Sequence, residues 1–318
     1  MSGQIVYKKT NLKGRDFLTL LDYTPEEVNQ LLDEAIQLKN ATKEQPIKPI
    51  LSGKSLGMIF ENASTRTRVS FEVGMTQLGG HALFLSPRDL QIGRGEPVQD
   101  TAKVLSRYVD AIMIRTNSHE MVEEIAEHAD VPVINALTDA FHPCQGLADL
   151  LTIKEHKPGA LKLKLAYVGD GNNVAHSLLV AGAKVGMDVS VATPKGYEVD
   201  QEIFKKASEA AKETGAILTQ TTDPVEAVED ADVIYTDVWA SMGFEAEQSE
   251  RVKAFLPYQV NEALTAHAKP DYLFLHCLPA HRGEEVTADV IDGGHSVIYD
   301  QAENRLHAQK AILTSILS

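Results

Sequence analysis

The chain has 318 residues, which at roughly 150 residues per domain predicts two domains, each able to bury its own core. Lys plus Arg number 30 and Asp plus Glu 45, a formal net charge of −15, and so acidic a surface argues against nucleic acid or membrane as the main partner. At 43% hydrophobic and 24% charged residues, the composition is globular and excludes wholesale disorder.

Residues 1–17 carry no sustained apolar stretch, so neither a signal peptide nor an anchor is expected. Thr24 opens the first helical pattern, 24–40, with a capping box: Pro25 takes the first helical position and Glu27 reaches back. Short β-branched runs then alternate with amphipathic stretches. Strand patterns lie at 55–61, 81–85, 111–116 and 133–136, among helical patterns at 65–78, 98–108, 119–128 and 144–156. A second series has strands at 163–169, 189–193, 217–221, 233–239, 273–278 and 297–299, with a helix at 201–214. This alternation predicts βαβ units. The expected fold class is α/β: two doubly wound domains, each with a central parallel sheet flanked by helices. The polar, Pro/Gly-marked run 154–159 separates the two series, which places the domains at 1–150 and 151–303. A terminal helix, 304–318, carries apolar Leu306, Ile312, Leu313 and Ile316 and must dock on one of them. The pattern alone does not say which.

Only two cysteines occur, Cys144 and Cys277, so neither a disulfide framework nor a four-ligand zinc pattern is visible. A reducing, cytoplasmic setting is expected. Asn62-Ala63-Ser64 matches the glycosylation pattern, and without a secretion signal it reads as chance.

Six stretches carry chemistry. Ser64-Thr65-Arg66-Thr67-Arg68 follows a buried strand and opens a helix, whose N–H groups and positive dipole end suit a phosphate. Three hydroxyls and a bidentate arginine add donors; the plainer alternative is an N-cap followed by solvated arginines. Arg115 ends an apolar strand, which marks either a return to solvent or a ligand rim at the carboxyl ends of strands. In His142-Pro143-Cys144-Gln145, His142 and Gln145 sit at a strand-to-helix junction as donors to a carbonyl oxygen, or His142 is a structural cap. Gly169-Asp170-Gly171-Asn172-Asn173-Val174 imitates a dinucleotide fingerprint, but Val174 stands at the third glycine position and no acid ends the next strand. A tight turn presenting Asn173 to a ligand fits better. Asp237, at the end of the strand pattern 233–239, suits a substrate ammonium or a helix cap. Cys277 invites a thiol-nucleophile reading, yet neighbours on a strand face opposite ways, so His276 is poorly placed as its base. No metal is expected on His276 and His281, for want of a carboxylate or further His at supporting spacing.

Together these stretches resemble the aspartate/ornithine carbamoyltransferase family. Its carbamoyl-phosphate signature is Ser-Thr-Arg-Thr-Arg, here Ser64 to Arg68, and its His-Pro-x-Gln element is His142 to Gln145. The ornithine-type signatures are Asp237-Val238-Trp239-Ala240-Ser241-Met242-Gly243 and His276-Cys277-Leu278-Pro279. These run in order from position 64 to Arg305, so the resemblance covers nearly the whole chain.

The resemblance implies transfer of the carbamoyl group from carbamoyl phosphate to the side-chain amine of L-ornithine, giving L-citrulline and phosphate. It assigns Ser64, Thr65, Arg66 and Thr67 to the phosphate. Arg115, His142, Pro143, Cys144 and Gln145 go to the carbamoyl carbonyl and phosphate, with Arg305, read as part of a turn at 303–305, and the main chain of Cys277 and Leu278. Gln91 matches a residue that enters from a neighbouring subunit. Asn173, Asp237, Ser241 and Met242 match residues that hold ornithine. A homotrimer is implied, its further stacking left open, with no cofactor and no metal, and with the terminal helix returned to the first domain.

The chemistry agrees with the assignment. Carbamoyl phosphate carries its own leaving group, so the catalyst must neutralise phosphate, polarise the carbonyl and hold a neutral amine in line. An alkyl ammonium has a reference pKa of about 10.4, so a proton must leave before attack. Arg66, Arg115, His142 and Arg305 suit the first two tasks, Asp237 and Cys277 the third. An aspartate-using relative needs cations for a second carboxylate, a putrescine-using one has no amino-acid head to grip, and a non-catalytic scaffold is expected to have lost an arginine or Cys277.

Overall fold

The computed structural model describes residues 10–44, 49–86, 88, 90–92, 95–160, 162–240 and 248–318. They form two compact units: residues up to Asp139 together with Arg305–Ser318, and Ala140–Asn304.

In the first unit a 3-10 turn, Leu20–Asp22, precedes α1 (Pro25–Glu44). The expected capping box is formed: Thr24 N donates to Glu27 Oε2 at 2.9 Å, and Glu27 N donates to Thr24 Oγ1 at 3.3 Å. Then follow β1 (Ser55–Phe60), α2 (Thr65–Gln77), β2 (His81–Leu85), α3 (Val98–Leu105), β3 (Ala111–Arg115), α4 (His119–His128) and β4 (Val133–Leu137). The strands pair in the order β2-β1-β3-β4, all parallel. Ile59, Ile112, Ile114 and Val133 from the sheet meet Ala102, Val122 and Ile125 from α3 and α4 in one apolar cluster. β1, β3 and β4, buried almost throughout, read as largely apolar runs, which is why the sequence reveals them.

The second unit holds α5 (Pro143–His156), β5 (Lys164–Val168), α6 (Asn173–Val185), β6 (Asp188–Ala192), α7 (Gln201–Thr214), β7 (Leu218–Thr221) and α8 (Pro224–Val228). It continues through β8 (Val233–Thr236), α9 (Gln248–Phe255), α10 (Glu262–Thr265), β9 (Leu273–His276) and α11 (Ala288–Ile291). Its sheet runs β7-β6-β5-β8-β9, again all parallel. The sequence drew the first boundary near residue 150, whereas the contacts group α5 with α6. The two helices pack closely at Gly146, where a Cβ would stand in ordinary contact with the Ser177 carbonyl at 3.4 Å and Ala181 Cβ at 3.7 Å. The last helix, α12 (Ile298–Leu317), starts in this unit and ends in the first.

The strand expected at 297–299 is instead the start of α12. Phe274 N donates to His295 O at 2.8 Å and Val297 N to Phe274 O at 3.1 Å, so Ser296, just ahead of the run, makes a single bridge to β9 before the helix begins. Arg305 therefore lies inside a helix, not in a turn. Among the described residues no helix is long and apolar enough to cross a membrane.

Candidate active site

In each sheet the chain leaves its first strand on one side and later returns to the other. β1 leads to β2, and β3 then pairs on the far edge of β1; likewise β5 leads to β6 and β7, and β8 pairs on the far side of β5. Such switch points open a crevice at the carboxyl ends of the strands, the usual ligand position in open α/β sheets. Among the described residues, Arg115, Asp237 and Cys277 stand at or directly after the carboxyl ends of β3, β8 and β9.

In the first unit β1 and β3 end level, with Phe60 opposite Arg115. The chain then turns to Ser64, whose hydroxyl caps α2 by accepting from Thr67 N at 3.3 Å. No acidic residue lies in the first turn of α2, so its positive end is uncompensated there. Thr67 is buried, and its Oγ1 accepts from Arg305 Nη2 at 3.2 Å, which brings the interior of α12 to the start of α2. Arg115, also buried, ends β3 at the same rim. The two arginines of the motif are divided by geometry. Arg68 pairs with Glu72 at 2.9 Å and lies 3.8 Å from the centre of the Phe84 ring, while Arg66 forms no ion pair among the described residues. Thr65 is exposed at the first helical position, and Gln91 is exposed between β2 and α3. A helix start, hydroxyls and guanidinium groups are the donor types that suit a small dianion.

In the second unit Asp237 follows β8 directly and is 6% exposed. Its Oδ2 accepts from Asn172 Nδ2 at 2.9 Å and its Oδ1 from Cys277 Sγ at 3.1 Å. It caps no helix among the described residues, since residues 238–240 are not helical. Asn172 is the N-cap of α6, with Oδ1 accepting from Val174 N at 3.0 Å and Ala175 N at 3.2 Å, so its amide nitrogen is turned toward Asp237. The sequence reading chose Asn173, which opens α6 half-buried, and missed Asn172. An Asx residue directly before a helix was the available signal.

Cys277 thus presents its thiol to a carboxylate as a donor. A His276 ring nitrogen lies within 4.8 Å of Cys277 Sγ and of an Asp237 oxygen but is committed elsewhere: Nδ1 accepts from Leu278 N at 2.9 Å and Nε2 donates to Glu285 Oε1 at 3.2 Å. Leu278 has φ +58°, and its bond to Pro279 is cis. The expectation that no carboxylate supports His281 is corrected, because Glu284 and Glu285 stand beside it. His142 occupies the N-cap position of α5 without making a side-chain cap bond, and its N–H donates to Ser177 Oγ at 2.7 Å. Pro143 and Cys144 fill the first turn of α5, buried, and Gln145 Nε2 donates to Asp149 Oδ1 at 2.7 Å. Ser241 and Met242 lie outside the described residues.

One constellation has no counterpart in the sequence reading. Arg251 of α9 donates through Nη1 to Asp170 Oδ2 at 2.8 Å and to Trp239 O at 2.9 Å, and its guanidinium lies 5.0 Å from the centre of the Tyr197 ring. Burial pushes the Asp170 carboxyl up to about 6, against the pull of Arg251 and with help from the charge of Asp237. Asp170 and Arg251 stand 81 positions apart, and no local pattern joins them.

The carbamoyl-P binding domain model of the aspartate/ornithine carbamoyltransferases matches residues 15–155, and the Asp/Orn binding domain model matches 161–316. An ornithine carbamoyltransferase of Halalkalibacterium halodurans is 76% identical over 98% of this chain and 97% of its own length. One from Bacillus subtilis is 63% identical over 97% and 96%. The solved structure of ornithine carbamoyltransferase from Pyrococcus furiosus superposes with a TM-score of 0.94 at 60% identity, covering 97% of this chain and 99% of that one. The ordered motifs, the two parallel sheets with their strand-end rims and these matches lead to one assignment: the chain belongs to the aspartate/ornithine carbamoyltransferase family.

Proposed function

We propose that the protein transfers the carbamoyl group of carbamoyl phosphate directly to the side-chain amine of L-ornithine, giving L-citrulline and phosphate. The observation that carries this reading is the start of α2, where Ser64, Thr65 and Thr67 meet the cations Arg66, Arg115 and Arg305 at one strand-end rim. That rim holds the phosphate and stabilises it as it departs. His142, Gln145 and the main chain of Cys277 and Leu278, with Pro143 and Cys144 setting the start of α5, polarise the carbamoyl carbonyl. Asp237 takes the α-ammonium of ornithine, beside Asn173, Ser241 and Met242. Cys277, whose thiol donates to Asp237, orients the attacking amine, and takes its proton only as it passes its own to the Asp237 carboxylate. No covalent intermediate is needed, because a thiol donating to a carboxylate is not a thiolate nucleophile. The buried Asp237 also disfavours aspartate, whose second carboxylate it repels.

The working form is a homotrimer in the cytoplasm, with Gln91 completing a neighbour's site. Exposed apolar side chains on this unit support the oligomer: Val69 and Val73 on α2, and Leu83 and Phe84 on opposite faces of the edge strand β2, are each more than a third exposed. An assay for product from carbamoyl phosphate with ornithine, putrescine or aspartate tests the reading. Citrulline from ornithine alone is expected, and carbamoylation of either other acceptor at a comparable rate overturns it.

A further inference from the structure

We propose that His281, Glu284 and Glu285 form a binding site for a divalent first-row transition metal such as Zn²⁺ or Co²⁺. The three lie on one turn after β9. His281 Nδ1 stands 4.0 Å from Glu284 Oε2 and 3.8 Å from Glu285 Oε2, and the three donor atoms lie within 4.8 Å of one another.

The decisive group is Glu285. Its side chain is fully buried, and its two oxygens live differently. Oε1 accepts from His276 Nε2 at 3.2 Å and from His281 N at 2.5 Å. Oε2 is buried and accepts no hydrogen bond among the described residues, and it points at the His281 ring. A buried carboxylate oxygen without a donor is costly, and 3.8 Å is too long for a hydrogen bond from the imidazole. Imidazole supplies a charge there only when protonated. Arg282, the adjacent fixed cation, is committed to Asp292 through two bonds of 2.8 and 2.6 Å.

The turn is held in place before any ion arrives. Gly283 sits at φ +92°, where glycine is favoured, and donates to Val286 O at 2.8 Å. Glu284 N donates to His281 O at 2.9 Å, and Gln259 Nε2 donates to both Gly283 O and Glu284 O at 2.9 Å. Metal–ligand bonds of ~2.0–2.1 Å in tetrahedral geometry place ligand atoms ~3.3 Å apart, so closing the site from separations of 3.8 to at most 4.8 Å requires side-chain movements of roughly 0.5–1.5 Å. One imidazole and two carboxylates suit zinc and its neighbours, whereas calcium and magnesium prefer all-oxygen sets. His281 and Glu284 are 52% and 37% exposed, which leaves an entry path and room for water at the remaining positions. His276 and the His281 N–H act as the outer partners that fix Glu285.

The test titrates Zn²⁺, and separately Co²⁺, into the full chain against a competing chelator, with His281→Ala, Glu284→Gln and Cys277→Ser variants checked for folding by circular dichroism. One equivalent per chain is expected, with Co²⁺ bands that lack thiolate-to-metal charge transfer and persist in Cys277→Ser. His281→Ala and Glu284→Gln should each weaken binding by at least ~10-fold, the loss seen even for outer-shell partners. Wild-type affinity in either variant overturns the site. So does a thiolate band that vanishes in Cys277→Ser, or a dissociation constant for the wild-type chain weaker than ~1 mM, the range of chance surface chelation.

Discussion

Replacing Arg251 by Met removes a charge but keeps the length and apolar bulk of the side chain. Arg251 and Asp170 are only 8% and 11% exposed, and the same guanidinium serves the Trp239 carbonyl. Breaking one partner out of a buried pair costs about 3–5 kcal/mol, because it strands the other charge. The pH dependence carries a sign. In the folded chain Asp170 is held at about 6, against an ordinary value of 3.8, first by burial. A raised carboxyl favours folding in its neutral form: the contribution is complete below the ordinary value and is lost as pH climbs through about 6. That swing is worth ~3 kcal/mol at 1.36 kcal/mol per pH unit. Without Arg251 the carboxyl rises further, so Arg251→Met should be hurt most at pH 8 and least at pH 5. Trp239 is the sole tryptophan and sits beside the pair, so its fluorescence reports unfolding of the second unit. With a urea dependence of ~2 kcal/mol per molar, the midpoint at pH 8 should fall by about 1.5–2.5 M. Asp170→Leu combined with Arg251→Met should regain most of the loss. A midpoint shift under ~0.3 M, or a larger loss at pH 5 than at pH 8, refutes the reasoning.

Arg66→Ala should raise the KM for carbamoyl phosphate and cut kcat/KM by about 2–4 kcal/mol of transition-state stabilisation, while Arg68→Ala, whose partner is Glu72, should change kcat/KM less than threefold; steady-state kinetics of both variants decide it. Mixing inactive Gln91→Ala and Arg115→Ala chains should restore part of the activity through hybrid sites, and verified mixed oligomers with none count against sharing. Asp237→Asn should weaken ornithine at least ~10-fold with little effect on carbamoyl phosphate, measured by calorimetry, and Cys277→Ser should lower turnover and shift its pH profile; a trapped carbamoyl-thioester in mass spectra would sink direct transfer. Gly171→Ala forces a Cβ to 2.4 Å from the Glu198 carbonyl carbon and the Val199 nitrogen, both backbone, so the melting temperature should drop by an amount equivalent to about 1–3 kcal/mol.

The elements that could be read from sequence are those whose cause is local. Apolar runs such as Ala111–Arg115 announce buried parallel strands, and Thr24, Pro25 and Glu27 announce a helix start. The run at 297–299 misled because β-branching reports a buried, extended-prone segment, and one bridge satisfies that as well as a strand does. Within the site the phosphate motif was legible as a helix start carrying donors. Asn172 was legible in principle as a cap, yet its second bond, to Asp237, spans 65 positions. Glu285 and Arg251 were not legible at all, because an acid or arginine in sequence looks solvated until the fold surrounds it.

α12 is shared: its last residues belong to the first unit, where Arg305 reaches Thr67, Lys310 reaches Gln77 at 3.0 Å, and Gly14 N donates to Ile316 O at 2.9 Å. The unit whose strands are synthesised first is therefore completed last. The second unit is one continuous stretch, Ala140–Asn304, so every residue it needs precedes Arg305–Ser318 in the chain. The first unit waits with the groove for Ala308, Ile312 and Ile316 open until the final residues emerge. A stop codon a dozen positions early thus leaves the second unit intact, while the first lacks both its closing apolar seam and any route to seating it.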